Sequence, residues 1–481
     1  MSRRVAIPGY RAAVARSVIL PISLLLLLSD LASLLAAFIA STAVTEAIQT
    51  RLLDRVAAEF YAPFLADRMA IVAFLSCLLT AWFAYKKHYT GRRGHWTEVK
   101  HILLGVAVIA LIDGWAHFAL KMQASRLWQA QLWLYAAASI IAGRVLARHA
   151  LTSLGLWQRP TLLVGTAGTL AELRAFTRSE GYLGYDIRGT IDADFGDDVL
   201  KRLEDHLASH PDLSYAMIAC EGMPFTLLGR VIETLDRARI RYGLVPPLRG
   251  VPLLGFEVDH FLGYDFIVLQ SHRPLLDRQR TRIAKRCLDV AGASLALLFL
   301  SPFMLAVAAL LRLQAGPVLY RSRRLGLHGS VFFALKFRTM RPGAEQMLQE
   351  LLSRHPAVRA EWDANYKLRD DPRVTRLGDF LRRTSLDELP QLFNVLRGEM
   401  SLVGPRPLLL EEVPHHQSAL HVYTRVRPGI TGMWQVSGRN DLAYARRMQL
   451  NSWYVHNWSL WHDLVILVKT IIVVVRRRGA S

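Results

Sequence analysis

Two hydrophobic patterns divide the chain. Four long apolar stretches fill its first third, Val18 to Thr42, Met69 to Tyr85, Ile102 to Leu120 and Leu127 to Ala147. A helix needs about 20 apolar residues to cross a hydrocarbon core of roughly 30 Å, so these stretches predict four membrane helices. Between Pro160 and Pro247 the pattern changes. Short strand-like runs (Thr161 to Val164, Tyr185 to Ile191, Tyr215 to Cys220, Arg241 to Val245) alternate with amphipathic helical ones (Leu170 to Arg178, Val199 to Ala208, Leu227 to Arg237). Such a βαβ alternation predicts a parallel sheet flanked by helices. The first strand ends in Gly165-Thr166-Ala167-Gly168-Thr169, a turn able to cradle a phosphate at a helix N-terminus or simply to close a tight strand-to-helix corner.

Charge orients the apolar segments. The 481 residues carry 59 Lys+Arg against 39 Asp+Glu, a formal net charge of +20, while 52% of positions are hydrophobic. That pairing excludes an ordinary soluble domain and points to a bilayer together with phosphates or anionic lipid. Nucleic acid is the other reading of the basicity, but the arginines are interleaved with acids and flank apolar runs, so no nucleic-acid partner is expected. Arg3, Arg4, Arg11 and Arg16 precede the first span, and Lys86, Lys87, Arg92, Arg93 and Lys100 lie between the second and third. Both segments should face the cytoplasm, and four spans return Arg144, Arg148, Arg159 and the rest of the chain to that side. The three cysteines, Cys77, Cys220 and Cys287, are too scattered for a disulfide framework or metal cluster, as suits a reducing compartment.

A fifth run, Val290 to Leu311, has arginines and lysines on both flanks, so both ends should stay inside. A re-entrant helical hairpin meets that demand, with Ser301-Pro302 as its break: proline removes a helical donor and serine can satisfy a freed backbone group. The competing reading, a proline-kinked fifth span, would put the arginine-rich C-terminal third outside. A last apolar piece, Leu464 to Val475, follows Trp453, Tyr454, Trp458 and Trp461 and precedes Arg476, Arg477 and Arg478. It is too short to span and reads either as an interfacial helix or as a core helix.

Candidate chemistry lies between Tyr320 and Arg439. Asp370-Asp371-Pro372-Arg373 leads through Arg382-Arg383-Thr384-Ser385 to Leu386-Asp387-Glu388-Leu389-Pro390-Gln391-Leu392. Adjacent carboxylates amid arginines suit a metal-bound diphosphate substrate, the carboxylates holding Mg²⁺ or attacking phosphorus and the guanidiniums binding phosphate oxygens. Structural alternatives stand beside this. Asp387 is placed to cap a helix beginning near Pro390, and Ser385 with Glu388 matches a capping box. Gly404-Pro405-Arg406-Pro407 and Arg425-Val426-Arg427-Pro428-Gly429-Ile430-Thr431-Gly432 are rigid loops that each present arginine, either to phosphate or merely as turns.

The ordered set, from the basic-flanked hairpin with Ser301-Pro302 through Lys336-Phe337-Arg338-Thr339-Met340, Ser385 to Leu392, Ser401 to Pro407, Arg427 to Gly432 and Trp434-Gln435-Val436-Ser437-Gly438-Arg439, resembles the bacterial polyprenyl-phosphate sugar-1-phosphate transferases, the monotopic phosphoglycosyl transferases. The resemblance covers roughly the last 200 residues with several ordered motifs. The preceding part looks like the long form of that family. It implies a membrane protein with a four-helix transmembrane domain over 1–150, an α/β Rossmann-like cytoplasmic domain over 151–250 and a connector over 251–280. An α+β catalytic domain over 281–481 would then be anchored by a re-entrant hairpin at 285–312 and an interfacial C-terminal helix. The ending Ser452-Trp453-Tyr454-Val455 with Asn457-Trp458-Ser459-Leu460-Trp461 looks most like the galactose-phosphate-transferring members.

By resemblance, the reaction moves a sugar 1-phosphate from a UDP-sugar, UDP-galactose or UDP-glucose, to undecaprenyl phosphate, releases UMP, and starts a lipid-linked glycan at the inner membrane. Asp387 looks like the nucleophile and Glu388 like a Mg²⁺ ligand, with Lys336, Arg338, Arg382, Arg406 and Arg427 as candidates for phosphate binding. A membrane glycosyltransferase releasing UDP and a non-catalytic sensor or scaffold are the competing functions, and a homodimer is left open.

Overall fold

The computed structural model describes residues 10–52, 58–119, 121, 125–193, 198–248, 256–260, 267–271, 276, 278–314, 316–355, 358–359, 368, 371–416, 420, 422–438 and 444–475. Arg3, Arg4, Asp370, Arg439 and Arg476 to Arg478, singled out above, lie outside the described residues. The chain forms two compact units, Met1–Pro247 and Leu248–Ser481.

The first unit begins with four helices, α1 (Tyr10–Leu52), α2 (Ala58–Tyr85), α3 (His95–Ala119) and α4 (Arg126–Ser153), each with a stretch long and apolar enough to cross a membrane. In an apolar solvent helices associate through small residues and polar bonds rather than hydrophobicity. α1 and α4 meet in that way. Ser33 Oγ donates to the Ser139 carbonyl (3.0 Å) and Ser139 Oγ to the Ser33 carbonyl (2.9 Å), and a Cβ at Gly143 would lie 2.4 Å from Ser33 Oγ. Charges are buried beside this contact. Arg144 donates to both Asp30 oxygens (2.9 and 2.6 Å) and to Glu98 Oε1 (2.7 Å), while Arg148 donates to the same Glu98 oxygen (2.6 Å). Arg144 and Arg148, read from the sequence as a basic flank, are therefore 2% and 7% exposed and paired with acids from other helices, as isolated charges in such a setting must be.

After α4 come β1 (Arg159–Gly165), α5 (Ala167–Ser179), β2 (Tyr185–Asp192), α6 (Asp198–Ser209), β3 (Tyr215–Ala219), α7 (Phe225–Arg237) and β4 (Arg241–Val245). The strands form one parallel sheet in the order β2-β1-β3-β4. Side chains alternate across a strand, so Leu162 and Val164 pack with Leu203 and Val231 from α6 and α7, while Leu163 packs with Leu170 and Leu173 from α5. Burial on both faces accounts for the continuous apolar runs that stood out in the sequence. The glycine turn has a packing explanation: a Cβ at Gly165 would lie 2.8 Å from both the Ala219 Cβ and Thr169 Oγ1. The sheet domain is tied to the helices by Arg92, which donates to the carbonyls of Leu183, Gly184 and Trp157 (2.7, 2.8 and 2.7 Å), and by Tyr182, whose hydroxyl donates to Glu98.

The second unit has an antiparallel pair, β5 (Phe256–His260) with β6 (Ile267–Ser271), ahead of α8 (Gln279–Leu313), which stays helical through Ser301 and Pro302. Pro302 has no N–H for the carbonyl four residues back, and Ser301 Oγ donates to that carbonyl, Leu298 O, at 3.2 Å. Both ends of α8 grip the folded domain. Lys285 Nζ donates to Asp463 Oδ2 (2.7 Å) and the Val403 carbonyl (3.0 Å), and Asp289 Oδ1 accepts from Ser401 Oγ (2.9 Å) and Leu402 N (3.1 Å). Near the far end Met304, Val307 and Leu311 pack with Phe337 and Leu381. The middle is open, with Leu298, Phe299 and Leu305 at least 70% exposed.

The rest is a hairpin of β7 (Leu319–Leu325) and β8 (Val331–Phe337), the helices α9 (Ala344–Arg354), α10 (Arg376–Thr384) and α11 (Gln391–Arg397), a parallel pair β9 (Ser401–Val403) and β10 (Gly429–Thr431), a helical turn α12 (Met433–Val436), and the closing helices α13 (Tyr444–His456) and α14 (Leu460–Val475). Two readings were open for the last helix, and packing bears out the core reading for one face. Asp463, Val465 and Ile466 are buried, whereas Leu464, Val468, Ile471 and Ile472 are exposed. Its apolar outer face suits an interfacial position.

Asp463 also accepts from Tyr454 Oη (2.7 Å) and Trp458 Nε1 (3.0 Å). Removing one member of a buried ion pair strands the other charge and costs about 3–5 kcal/mol. Lys285→Met should therefore lower the melting midpoint of the detergent-solubilised protein, and the double variant Lys285→Met/Asp463→Leu should recover much of the loss. An unchanged midpoint in the single variant would show that the pair is not holding α8 to the domain.

Candidate functional site

The site is assembled from backbone contacts that place a few side chains. β8 is held by Asn394, which is fully buried: its Nδ2 donates to the Phe333 carbonyl (2.8 Å) and its Oδ1 accepts from Leu335 N (3.0 Å). One residue beyond, Lys336 projects to the carboxylates. α10 is capped by Thr375, whose hydroxyl accepts from Gly378 N (2.9 Å), a bond of the usual N-cap kind. Gly378 leaves no space for a side chain, since a Cβ there would lie 2.0 Å from the Thr339 carbonyl. At the far end of α10 Arg382 Nε donates to Thr339 Oγ1 (2.9 Å).

Ser385 then turns the chain with φ +57°, a left-handed conformation uncommon outside glycine, asparagine and aspartate. It sets up a single 3₁₀ turn, Leu386–Glu388, and Pro390 stands at the start of α11. Neither capping arrangement suggested by the sequence forms, because no side chain caps that turn or α11. Asp387 and Glu388 are thereby free of capping duty and half-buried on a rigid turn.

Lys336 Nζ donates to Glu388 Oε1 at 2.6 Å, with the two side chains 26% and 29% exposed. Burial pushes the Asp387 carboxyl up to about 6, with the Glu388 charge acting in the same direction and Lys336 and Arg382 opposing it. Such a carboxylate is mostly ionised at neutral pH yet more basic than an exposed one, a combination that suits an oxygen nucleophile. Among the described residues no three His, Cys, Asp or Glu side chains gather into a metal cage. Mg²⁺ commonly takes only one or two carboxylates and completes its shell with water and substrate phosphate, so the adjacent Asp387 and Glu388 oxygens fit that ion.

The five basic candidates divide. Lys336 and Arg382 stand by the carboxylates. Arg406 is set in the Gly404 to Leu409 loop, donating to Glu412 Oε1 at 3.4 Å and lying 5.8 Å from the Trp434 ring centroid. Arg338 does something different from what its position in the sequence suggests: it is 8% exposed and donates to the Leu311 carbonyl (3.2 Å) near the end of α8. Arg427 Nε donates to the Gly398 carbonyl (2.7 Å) just past α11, where Arg286 donates to the Val395 and Leu396 carbonyls (2.6 and 2.9 Å). Burial and the Arg286 charge lower the Arg427 pKa. Both arginines thus serve helix C-termini, whose unpaired carbonyls attract cations. Asp371 is likewise engaged, by Arg373 at 2.6 and 2.7 Å.

The motif glycines have a common cause. A Cβ at Gly404 would lie 2.6 Å from the Arg427 carbonyl, one at Gly429 2.0 Å from Gly404 N, and one at Gly432 2.2 Å from the Gly404 carbonyl. Three backbones touch there, and the loop bearing Arg406 is fixed by the contact. Arg324 was missed at the sequence level, where its neighbours made it look like part of the basic flank after α8. Burial and the nearby Arg406 lower its pKa, with Glu412 and Glu388 acting against them.

Residues 280–477 match the family model described as bacterial sugar transferase. The chain is 36% identical over 425 residues to the undecaprenyl-phosphate galactose phosphotransferase of Salmonella typhimurium, covering 86% of this chain and 89% of that one. It is 37% identical over 261 residues to the UDP-glucose:undecaprenyl-phosphate glucose-1-phosphate transferase of Xanthomonas campestris pv. campestris, covering 52% and 51%. The exopolysaccharide production protein ExoY of Rhizobium meliloti is 50% identical over 199 residues, which make up 41% of this chain and 88% of that protein.

An aspartate whose folded pKa of about 6 exceeds its unfolded value of roughly 3.9 favours the fold below that lower value, and the contribution is lost as pH rises through 6. Asp387→Asn should therefore melt above wild type at pH 7.5 and level with it at pH 4. A variant equally shifted at both pH values would show that the carboxyl is not desolvated.

Proposed function

The chain belongs to the bacterial sugar transferase family, and on that footing we propose that it transfers hexose 1-phosphate, galactose 1-phosphate before glucose 1-phosphate, from a UDP-sugar to undecaprenyl phosphate. UMP is released, and the product starts a lipid-linked glycan for O-antigen, capsule or exopolysaccharide. The observation that carries the reading is the Asp387-Glu388 turn, which holds a carboxylate of raised pKa beside Lys336 and Arg382.

In the first half-reaction Asp387 attacks the sugar-bearing phosphorus of the UDP-sugar. The bond from that phosphorus to the bridging oxygen breaks and the electron pair leaves with UMP. In the second, a phosphate oxygen of undecaprenyl phosphate attacks the phosphosugar on Asp387, forming the lipid diphosphate and returning the carboxylate. Lys336 and Arg382 offset the charge that gathers on the phosphoryl oxygens, and the fixed turn spares reorganisation at the moment of reaction. Mg²⁺, held by Glu388 with Asp387, would neutralise the diphosphate and its leaving group. Splitting transfer into two displacements lets a soluble and a lipidic anion use one small site in turn.

The membrane setting follows from α8. Basic residues flank it on both sides, both ends grip the same domain, and its open middle is apolar. These features support a re-entrant helix, continuous through Ser301-Pro302 rather than broken there, that holds the site at the cytoplasmic face of the inner membrane, where the acceptor headgroup lies.

With UDP-galactose or UDP-glucose and Mg²⁺, UMP should exceed one equivalent of enzyme only when undecaprenyl phosphate is present, and Asp387→Asn should lose roughly a thousandfold or more. A labelled sugar phosphate should be trapped on wild-type protein in a single turnover without lipid. UDP as the nucleotide product would mean glycosyl transfer instead, and no nucleotide product with any donor would favour a scaffold.

A further inference from the structure

We propose that His88 is a proton switch at the junction between the membrane helices and the parallel-sheet domain: the neutral ring closes the junction, and a proton taken up by it loosens the sheet domain from the helices.

The end of α2 sets the ring in place. Lys87 adopts a left-handed turn with φ +56°, Lys87 N donates to the Ala84 carbonyl (2.8 Å) and His88 N to the Phe83 carbonyl (3.0 Å). This pair of bonds is a usual way to close a helix and reverse the chain. His88, in the loop between α2 and α3, is left 3% exposed, with its ring centroid 5.2 Å from that of Phe83. Its Nδ1 stands 2.6 Å from Arg144 Nη1 and its Nε2 3.2 Å from His101 Nδ1. Arginine only donates, so Nδ1 holds a lone pair and the ring proton sits on Nε2, from which it is donated to His101. Arg93 Nη1 lies 3.3 Å from the same His101 nitrogen and donates there as well. These bonds are compatible only with a neutral His88.

The groups around the ring leave no place for a second proton. α1 presents Asp30, α3 presents Glu98 and His101, α4 presents Arg144 and Arg148, and the loop adds Tyr89 and Arg93. Asp30 is taken by Arg144 and by Tyr89 Oη (2.7 Å), and Glu98 by Arg144 and Arg148. Two acids already face two arginines, so a protonated ring is surplus buried charge. Burial, aided by Arg144 and Arg93 and opposed by Glu98, lowers the His88 pKa. The acid that protonated Nδ1 can turn to is Glu98, whose Oε1 lies 3.7 Å away, and there the ring competes with both arginines.

Glu98 is also where the sheet domain is fastened. Tyr182 donates to its other oxygen, and the Arg148 guanidinium lies 4.1 Å from the Tyr182 ring centroid. Four residues past His88, Arg92 holds the carbonyls of Trp157, Leu183 and Gly184, and Trp157 Nε1 donates to the Tyr182 carbonyl (3.0 Å). The acid and the loop that respond to His88 are thus the ones that grip the turn from Tyr182 to Gly184. A histidine whose folded pKa is lowered supports the closed form above its free value of about 6.5 and loses that support as pH falls through the folded value. Between the two values, opening gains about tenfold per pH unit.

The test is amide hydrogen exchange of full-length protein in nanodiscs from about pH 7.5 down to about 4.5, wild type beside His88→Gln. Glutamine keeps an acceptor and a donor but takes no proton, and comparing the two proteins at each pH cancels the intrinsic pH dependence of exchange. Peptides covering Trp157 and Tyr182 to Gly184 should exchange alike in both at the neutral end, and about tenfold or more faster in wild type at the acid end. Peptides from α13 should not differ. His88→Asn carries the comparison if His88→Gln melts early or is already open at neutral pH. Equal exchange in wild type and variant at every pH, or a difference spread evenly along the chain, would overturn the switch.

Discussion

Two carboxylates on consecutive residues of a half-buried turn repel each other and lose hydration together, and the catalytic unit is organised around that strain. Lys336 takes one oxygen of Glu388 and Arg382 stands by Asp387, but neither cation removes the burial that raises the aspartate's basicity. The compromise is electrostatic: enough positive charge to keep the aspartate ionised at neutral pH, too little to cancel the effect of burial. Everything that fixes the turn serves this balance. Asn394 holds the strand bearing Lys336, Gly378 lets α10 approach Thr339 and so sets Arg382, and Ser385 accepts an unfavourable backbone conformation to present both acids at once.

Arginine in this unit has two separate occupations. Arg338, Arg427 and Arg286 answer backbone carbonyls at the ends of α8 and α11, while Arg382, Arg324 and Arg406 lie around the acids. The first group keeps helices in place and the second adds positive charge around the carboxylates. Both occupy conspicuous motifs, because a motif records that a residue type matters without saying whether its partner is a ligand or a peptide carbonyl.

That ambiguity marks how far the sequence could be read. Long apolar runs and the strand-helix alternation forecast membrane-length helices and a parallel sheet, since burial on one or both faces leaves a periodic trace. The bond from Ser301 was readable because the donor that Pro302 lacks has a fixed address four residues back, but the break expected there does not form and the helix continues. Asp387 and Glu388 stood out as adjacent acids, but their 3₁₀ turn did not. It depends on the left-handed Ser385, which local capping patterns contradict. The contact of Arg324 escaped notice because it is made with a loop some 80 residues later, and no local spacing encodes that. For the same reason the buried partners of Arg144 and Arg148 were invisible.

The bond between Asp30 and Arg144 joins groups 114 residues apart in the chain. At the usual synthesis rate of about 5–20 residues per second, the acid emerges roughly 6–23 s before the base that neutralises it. Through that interval α1 carries an acid without its partner, at a cost of about 2.5–3.5 kcal/mol in hydrocarbon. That cost is relieved only when α4 arrives, so the last of the four helices completes the setting of the first.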